Sequence, residues 1–336
     1  MTPPAAAPTL DFDAAARSSG GRVAPLLDAL GRLPADAVPL PGGGRTRERF
    51  GALIRAAAAD VTAARVLEPH LDALAILAEA GLPAPAPGTT WGVFAAEAPG
   101  VELEAVESTD GWRLTGVKPW CSLGGRLSHG LVTARTGDEK RMFAVDLRQD
   151  AVRPEPSAWV ARGLAEVESG PLRFDGATAT AVGGPGWYLS RPGFRWGGIG
   201  VAACWWGACL PFFEALAART ATPGNPLVAA RVGELYRSLE SARLALRNAA
   251  ELIDTGVGGD RAAVLSHQVR GTAADAVALT LAAVHDLLGP AALAFDEGAA
   301  RRAADLDLYV AQYHRGRDDV SLAGHLAGVE GGQLAW

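Results

Sequence analysis

Cysteine, lysine and basic runs are what this chain has least of. Its 336 residues hold three cysteines, Cys121, Cys204 and Cys209. An odd number without framework spacing excludes a disulfide scaffold, and no pair stands at zinc-ligand spacing. Lysine occurs only as Lys118 and Lys140, no Lys/Arg block occurs, and the formal net charge is −6. Nucleic acid is therefore not expected as a main partner. Met1 through Pro8 lacks the basic segment and apolar run of a signal peptide. The longest apolar stretch, Ile199 to Phe213, is short for a bilayer and carries Gly and Trp, so no membrane span is expected. The expectation is a soluble, cytoplasmic protein. His267, His285 and His325 form no metal-binding pattern, and no glycine pair has phosphate-loop spacing.

What is present fits a globular enzyme-sized chain. Hydrophobic residues make up 49% and charged residues 20%, which excludes a disordered composition. The length suits two or three packed units. Residues 13–33 read as helical, 34–45 as a Pro/Gly loop, and 46–80 as two Ala/Leu-rich helices stopped by Gly81 and the prolines at 83, 85 and 87. From Thr89 the pattern changes. Trp91 opens a strand-like segment, and Val101, Leu103 and Ala105 alternate with charged residues as one buried strand face. Asp110-Gly111 signals a hairpin turn into Trp112 to Val117. Leu131 to Ala134, Met142 to Leu147 and Leu172 to Phe174 read as further short strands. After Arg191 the helical signal returns. Val232, Leu235, Leu239, Ala242, Leu246, Ala249 and Ile253 form one apolar stripe. Residues 261–288 read as a second long helix closed by Gly289-Pro290, and Asp305 to Arg315 as another. The predicted fold class is multi-domain α and β: N-terminal helices over 1–88, a small central β-barrel or sandwich over 89–190, and a C-terminal helical bundle over 191–336.

The middle of the chain carries a family resemblance. Ala96-Glu-Ala-Pro-Gly100 is similar to the Thr-Glu-Pro-Gly segment of acyl-CoA dehydrogenases. Asp110-Gly-Trp-Arg-Leu-Thr-Gly-Val-Lys-Pro-Trp-Cys-Ser122 resembles their hairpin ending in a Lys and Trp motif, with Gly116, Lys118, Trp120 and Ser122 in register. Leu172-Arg-Phe-Asp-Gly176 and Gly183-Gly-Pro-Gly-Trp-Tyr188 resemble the strand and connector that follow. The resemblance covers roughly residues 46–320. It implies an acyl-CoA dehydrogenase-like fold, an FAD cofactor, and a homo-oligomer, commonly a homodimer, built on the bundle. It also implies a small-molecule substrate such as an acyl thioester. Trp120 and Ser122 are then cofactor contacts, the indole stacking on the flavin and the hydroxyl following on the same side of a strand. The alternative for Trp120 is a core aromatic. Arg219, with Gly224 and Pro226, keeps part of a pattern whose arginine reaches the cofactor pyrophosphate; otherwise it is a plain helix-end charge.

The chain also departs from that family. Gly100 runs directly into Val101, so about six residues of a cofactor-contacting loop are missing, and the N-terminal segment looks too short for the full helical set. The family's catalytic glutamate, which takes the α-proton of the thioester, aligns with Ala300. Glu297 stands three residues earlier and is the candidate base, against a reading in which Asp296 and Glu297 are ordinary acidic residues at a helix start. His314, in Tyr309-Val-Ala-Gln-Tyr-His-Arg-Gly-Arg-Asp-Asp319, is a second catalytic candidate. Monooxygenases of this fold lack the glutamate and rely on polar side chains, although a helix-surface histidine fits as well. Three functions follow: a flavin-dependent oxidoreductase on a specialised acyl thioester, a flavin-dependent monooxygenase, or a catalytically degenerate binding or assembly protein. Cys204 and Cys209 are read as packing residues of an apolar helix.

Overall fold

The computed structural model describes residues 9–221 and 225–329. Four helices come first: α1 (Thr9–Ser19), α2 (Val23–Gly31), α3 (Thr46–Ala59) and α4 (Val61–Glu79). The helical stretch expected over 13–33 is two helices, because Gly20 and Gly21 take positive φ (58° and 80°) and turn the chain. Asp60 separates α3 from α4. Its carboxylate accepts from the Thr62 N–H (2.8 Å) and caps α4, and it also accepts from Arg301 Nη1 (2.8 Å), tying the helix start to the C-terminal bundle. α4 is buried nearly all round, which makes every charge on it conspicuous.

Among the described residues, seven strands follow: β1 (Trp91–Phe94), β2 (Leu103–Ser108), β3 (Gly111–Lys118), β4 (His129–Thr136), β5 (Glu139–Asp146), β6 (Val152–Pro154) and β7 (Leu172–Val182). β2, β3, β7, β5 and β4 pair antiparallel in that order. The free edge of β4 carries β1 in parallel over His129 to Val132 and then returns to β2 at Arg135 opposite Glu104. That return closes the ring into a small barrel. Its interior is apolar: Leu103, Ala105, Leu114, Phe143, Phe174 and Ala177 are buried, so the alternation read at β2 faces inward as expected. The hairpin turn is Thr109-Asp110, with Gly111 (φ 105°) as the first residue of β3, one position earlier than expected.

The bundle comprises a short α5 (Trp187–Ser190), α6 (Pro192–Ala218), a 3₁₀ turn (Arg219–Ala221), α7 (Pro226–Asp254), α8 (Gly259–Phe295), α9 (Glu297–Val310) and α10 (Arg315–Leu326). α7 buries Leu235, Leu239, Ala242, Leu246, Ala249 and Ile253, and each buried leucine contributes about 2 kcal/mol of transfer free energy. Gly289-Pro290 kinks α8 without ending it: Gly289 has φ 70° and ψ −172°, and the helix resumes to Phe295. The helix expected over 305–315 is the end of α9 and the start of α10. Both α6 and α8 are long and apolar enough to cross a bilayer by length and composition. α6 is instead the central core helix, with Cys204 and Cys209 fully buried and Gly207 so close to α3 that a Cβ would meet the Ile54 carbonyl at 2.6 Å.

Candidate functional site

A cavity of 710 Å³ opens where α4, the barrel and the end of α9 meet, a size typical of small-molecule sites. α4 presents Arg65, Val66, Glu68 and Asp72; β1 presents Trp91 and Phe94; Ala96 and Glu97 follow. Trp120, Ser122, Leu123 and Leu127 come from the loop after β3. Trp159, Leu164, Val167 and Ser169 come from the loop before β7, and Leu308, Gln312 and His314 from α9 and its exit.

Trp120 and Ser122 both reach the cavity, but not from a strand. Pro119 ends β3 because it has no N–H for the ladder, and Trp120 takes a left-handed backbone (φ 57°). Leu123 (φ 58°) and Leu164 (φ 49°) do the same. These are the three non-glycine residues with positive φ among those described, and all three line the cavity. Each such position costs on the order of 1 kcal/mol and persists only where the surroundings impose it, a condition common at ligand sites. Here the surroundings are visible. Main-chain bonds run from Cys121 N to Gly170 O (2.9 Å) and from Leu123 N to Glu168 O (2.7 Å), binding the two cavity loops together. The result leaves the Trp120 indole 56% exposed, so it is not a core aromatic.

A chain of hydroxyls lies beside it. Arg65 Nη2 donates to Ser122 Oγ (3.2 Å), Ser122 Oγ lies 2.7 Å from Ser169 Oγ, and Ser169 donates to the Val167 carbonyl (3.1 Å). With its protons spent along the chain, each hydroxyl retains a lone pair for a ligand donor. The Arg65 guanidinium also stacks over the buried Tyr309 ring at 5.1 Å.

The floor is ionic. Arg65 lies 3.7 Å from Glu68, and Arg191, bound to Glu79 at 2.7 Å, lies 3.8 Å from Asp72. Burial pushes both Glu68 and Asp72 above the usual carboxylate range, and the neighbouring Asp72 charge pushes Glu68 further, against the pull of Arg65 and Arg49. Sequence reasoning missed Arg65, Glu68 and Asp72. The available signal was their place: three charges at i, i+3 and i+7, on one stripe of a mainly apolar helix.

No protein-family model and no curated protein sequence matches the chain. Solved structures do. It is similar to the FMN-bound dibenzothiophene monooxygenase TdsC of Paenibacillus sp. A11-2, at 17% identity and TM-score 0.75 over 94% of each chain. It is similar to butyryl-CoA dehydrogenase of Megasphaera elsdenii, at 16% identity and TM-score 0.74 over 97% of this chain and 100% of that one. It is similar to KijD3 in complex with dTDP, at 15% identity and TM-score 0.75 over 96% of this chain and 95% of that one. The chain has the acyl-CoA dehydrogenase fold. These likenesses run over 94% or more of this chain and of each of the three structures.

Within the acyl-CoA dehydrogenase fold, the remaining candidates lie in different places. His314 lines the cavity at its solvent side, just before α10. Glu297 does not reach it. It is the first residue of α9, 88% exposed and 3.9 Å from Arg301 one turn on, and α9 puts about 20 Å between its two ends. The Asp296 side chain accepts from the Ala299 N–H (3.1 Å), so these acids start the helix. Ala300 also faces away from the cavity. Arg219 is exposed in the 3₁₀ turn after α6 and does not line the cavity; Gly224 of its pattern lies outside the described residues.

Proposed function

We propose that the protein is a flavin-dependent oxidoreductase whose cavity holds the isoalloxazine against Trp120, beside Ser122 and Ser169, and a small-molecule substrate over α4. The observation that carries this reading is the Trp120 indole, 56% exposed into a cavity and held there by a left-handed backbone. An aromatic face turned out of the core is suited to stacking on a flat ring system, and the adjacent hydroxyl lone pairs suit ring N–H groups. Such a cofactor, when bound, accepts or returns electrons. The chain's own part is to stack it, to exclude water with Leu123, Leu127, Leu164 and Val167, and to set the Glu68 and Asp72 carboxylates against the substrate. FAD is the form the family resemblance implies. The missing residues after Gly100 favour a shorter flavin, and TdsC is FMN-bound. Purified protein reconstituted with each flavin, its visible absorbance recorded and the bound nucleotide identified after heat release, tests the reading. Absence of flavin binding in either form rejects it and favours a non-enzymatic binding protein.

A monooxygenase is the second reading, and His314 favours it. The structure brings this histidine, rather than the candidate base Glu297, to the cavity. Straight-chain acyl-CoA thioesters mixed anaerobically with flavin-loaded protein should then leave the flavin band unbleached, since removal of a thioester α-proton needs a base set against it and this reading gives Glu68 and Asp72 no such part. Rapid bleaching would return the protein to the dehydrogenase reading, with Glu68→Gln deciding whether the base lies on α4.

A further inference from the structure

The cavity floor carries two carboxylates that its guanidinium groups approach but do not reach with a hydrogen bond. Glu68 and Asp72 stand one turn apart on α4, so both carboxylates rise from one helix face. Neither takes a hydrogen bond from any described residue. The nearest cations stop at 3.7 Å and 3.8 Å, beyond hydrogen-bonding distance, and each is engaged elsewhere: Arg65 on Ser122 (3.2 Å) and Arg191 on Glu79 (2.7 Å). Glu68 is 8% exposed, and what exposure it has opens onto the cavity. A carboxylate this buried without a donor is costly, and a ligand bringing N–H donors would remove the deficit. The walls above point the same way. Trp120 offers an exposed indole face to the cavity, and ring quadrupoles attract cations. Trp159 Nε1, buried without an acceptor among the described residues, adds one donor for a second polar group on the same ligand.

We propose that the substrate compartment takes an amine-bearing small molecule, whose nitrogen donates to Glu68 and Asp72 beneath the Trp120 indole. The inference names the substrate class for the oxidoreductase reading and rests on it for the compartment's role. A neutral amine bound there would leave its nitrogen lone pair free, with Glu68 placed to take the proton that an ammonium must shed.

Calorimetric titration of the full chain, with and without FMN, tests it using matched probes: tryptamine against tryptophol, and 2-phenylethylamine against 2-phenylethanol. Each pair differs in one terminal group. The amine should bind about tenfold tighter or more, as a charged hydrogen bond in a desolvated site implies. Glu68→Gln and Asp72→Asn, checked for folding by circular dichroism, should each erase most of that preference. Equal affinity within both pairs, or no binding of either amine, overturns the assignment, and this comparison stands on the wild-type protein even if a variant misfolds. Flavin is read separately by absorbance. Bound flavin without amine preference sinks this inference alone; amine preference without flavin sinks the oxidoreductase reading alone.

Discussion

Trp112 and Trp120 flank one strand and differ in what each indole faces. Trp112 packs on Phe143 (centroids 5.1 Å apart) with the Arg141 guanidinium over it at 5.3 Å; Trp120 faces the cavity. Trp120→Ala should therefore weaken flavin affinity by on the order of 1 kcal/mol and leave stability nearly unchanged. Trp112→Ala should cost about 2 kcal/mol of stability and little affinity. Equal affinity losses in a flavin titration would reject the placement. Trp120 and Ser122 were legible because a local motif carries them. Glu68 and Asp72 were not, because their meaning comes from surfaces that close over α4 from later in the chain. His70, on the same helix, accepts from the Trp91 N–H at Nδ1 (3.2 Å) and is neutral there. Burial, with Arg49 nearby, lowers its pKa from 6.5 to about 4. The unfolded chain therefore binds the proton more tightly, and the stability His70 contributes is complete above pH 6.5 and lost as pH falls through 4. That loss is on the order of 3 kcal/mol. His70→Asn, whose carbonyl oxygen can replace Nδ1 as acceptor, should flatten the fall of melting temperature across that window. An unchanged slope by calorimetry would show that His70 does not set it.

At the scale of elements, the loop over 155–171 decides the cavity's shape. It is held at both flanks: Glu166 accepts from the Val23 N–H at the start of α2 (2.8 Å), and the Asp305 carboxylate on α9 accepts from the Leu164 N–H (2.5 Å). Burial raises Asp305 to about 6, with the Leu164 N–H pulling the other way. Between these ties Gly163 runs against α9, where a Cβ would stand 1.9 Å from the Ala304 carbonyl oxygen. Gly163→Ala should lift the loop, cost about 2 kcal/mol and speed proteolytic cleavage within 155–171. A variant that melts and cleaves like wild type would show that the contact relaxes freely. Regular elements were readable from periodicity: the α7 stripe and the inward face of β2 lie as expected. β6, only three residues long, gave too short a pattern to register. The loop gave none, since its partners lie more than a hundred positions away (141 for Leu164 and Asp305) and only the folded chain brings them together.

For the whole molecule, the unfinished surface lies on the bundle. The most apolar stretch of α8 is only 28% buried, Phe295 at its end is 91% exposed, and α7 adds exposed Leu227, Tyr236 and Leu244. Large apolar side chains left exposed on two neighbouring helices favour an interaction face. The expected state is a homodimer through α7 and α8, read as twice the chain mass by light scattering at micromolar concentration, with Phe295→Asp shifting it toward monomer. A wild-type monomer would reject it. The cavity has a different reach. Its walls come from the N-terminal helices, the barrel and the bundle together, so none of the three can loosen without opening it. Occupancy is thereby linked to the unfolding of the entire chain. A ligand at a hundred times its dissociation constant adds about 2.7 kcal/mol to that one transition. A thermal-shift screen of compound libraries would accordingly register cavity ligands as an upward move of a single, cooperative melt, without any assay of turnover.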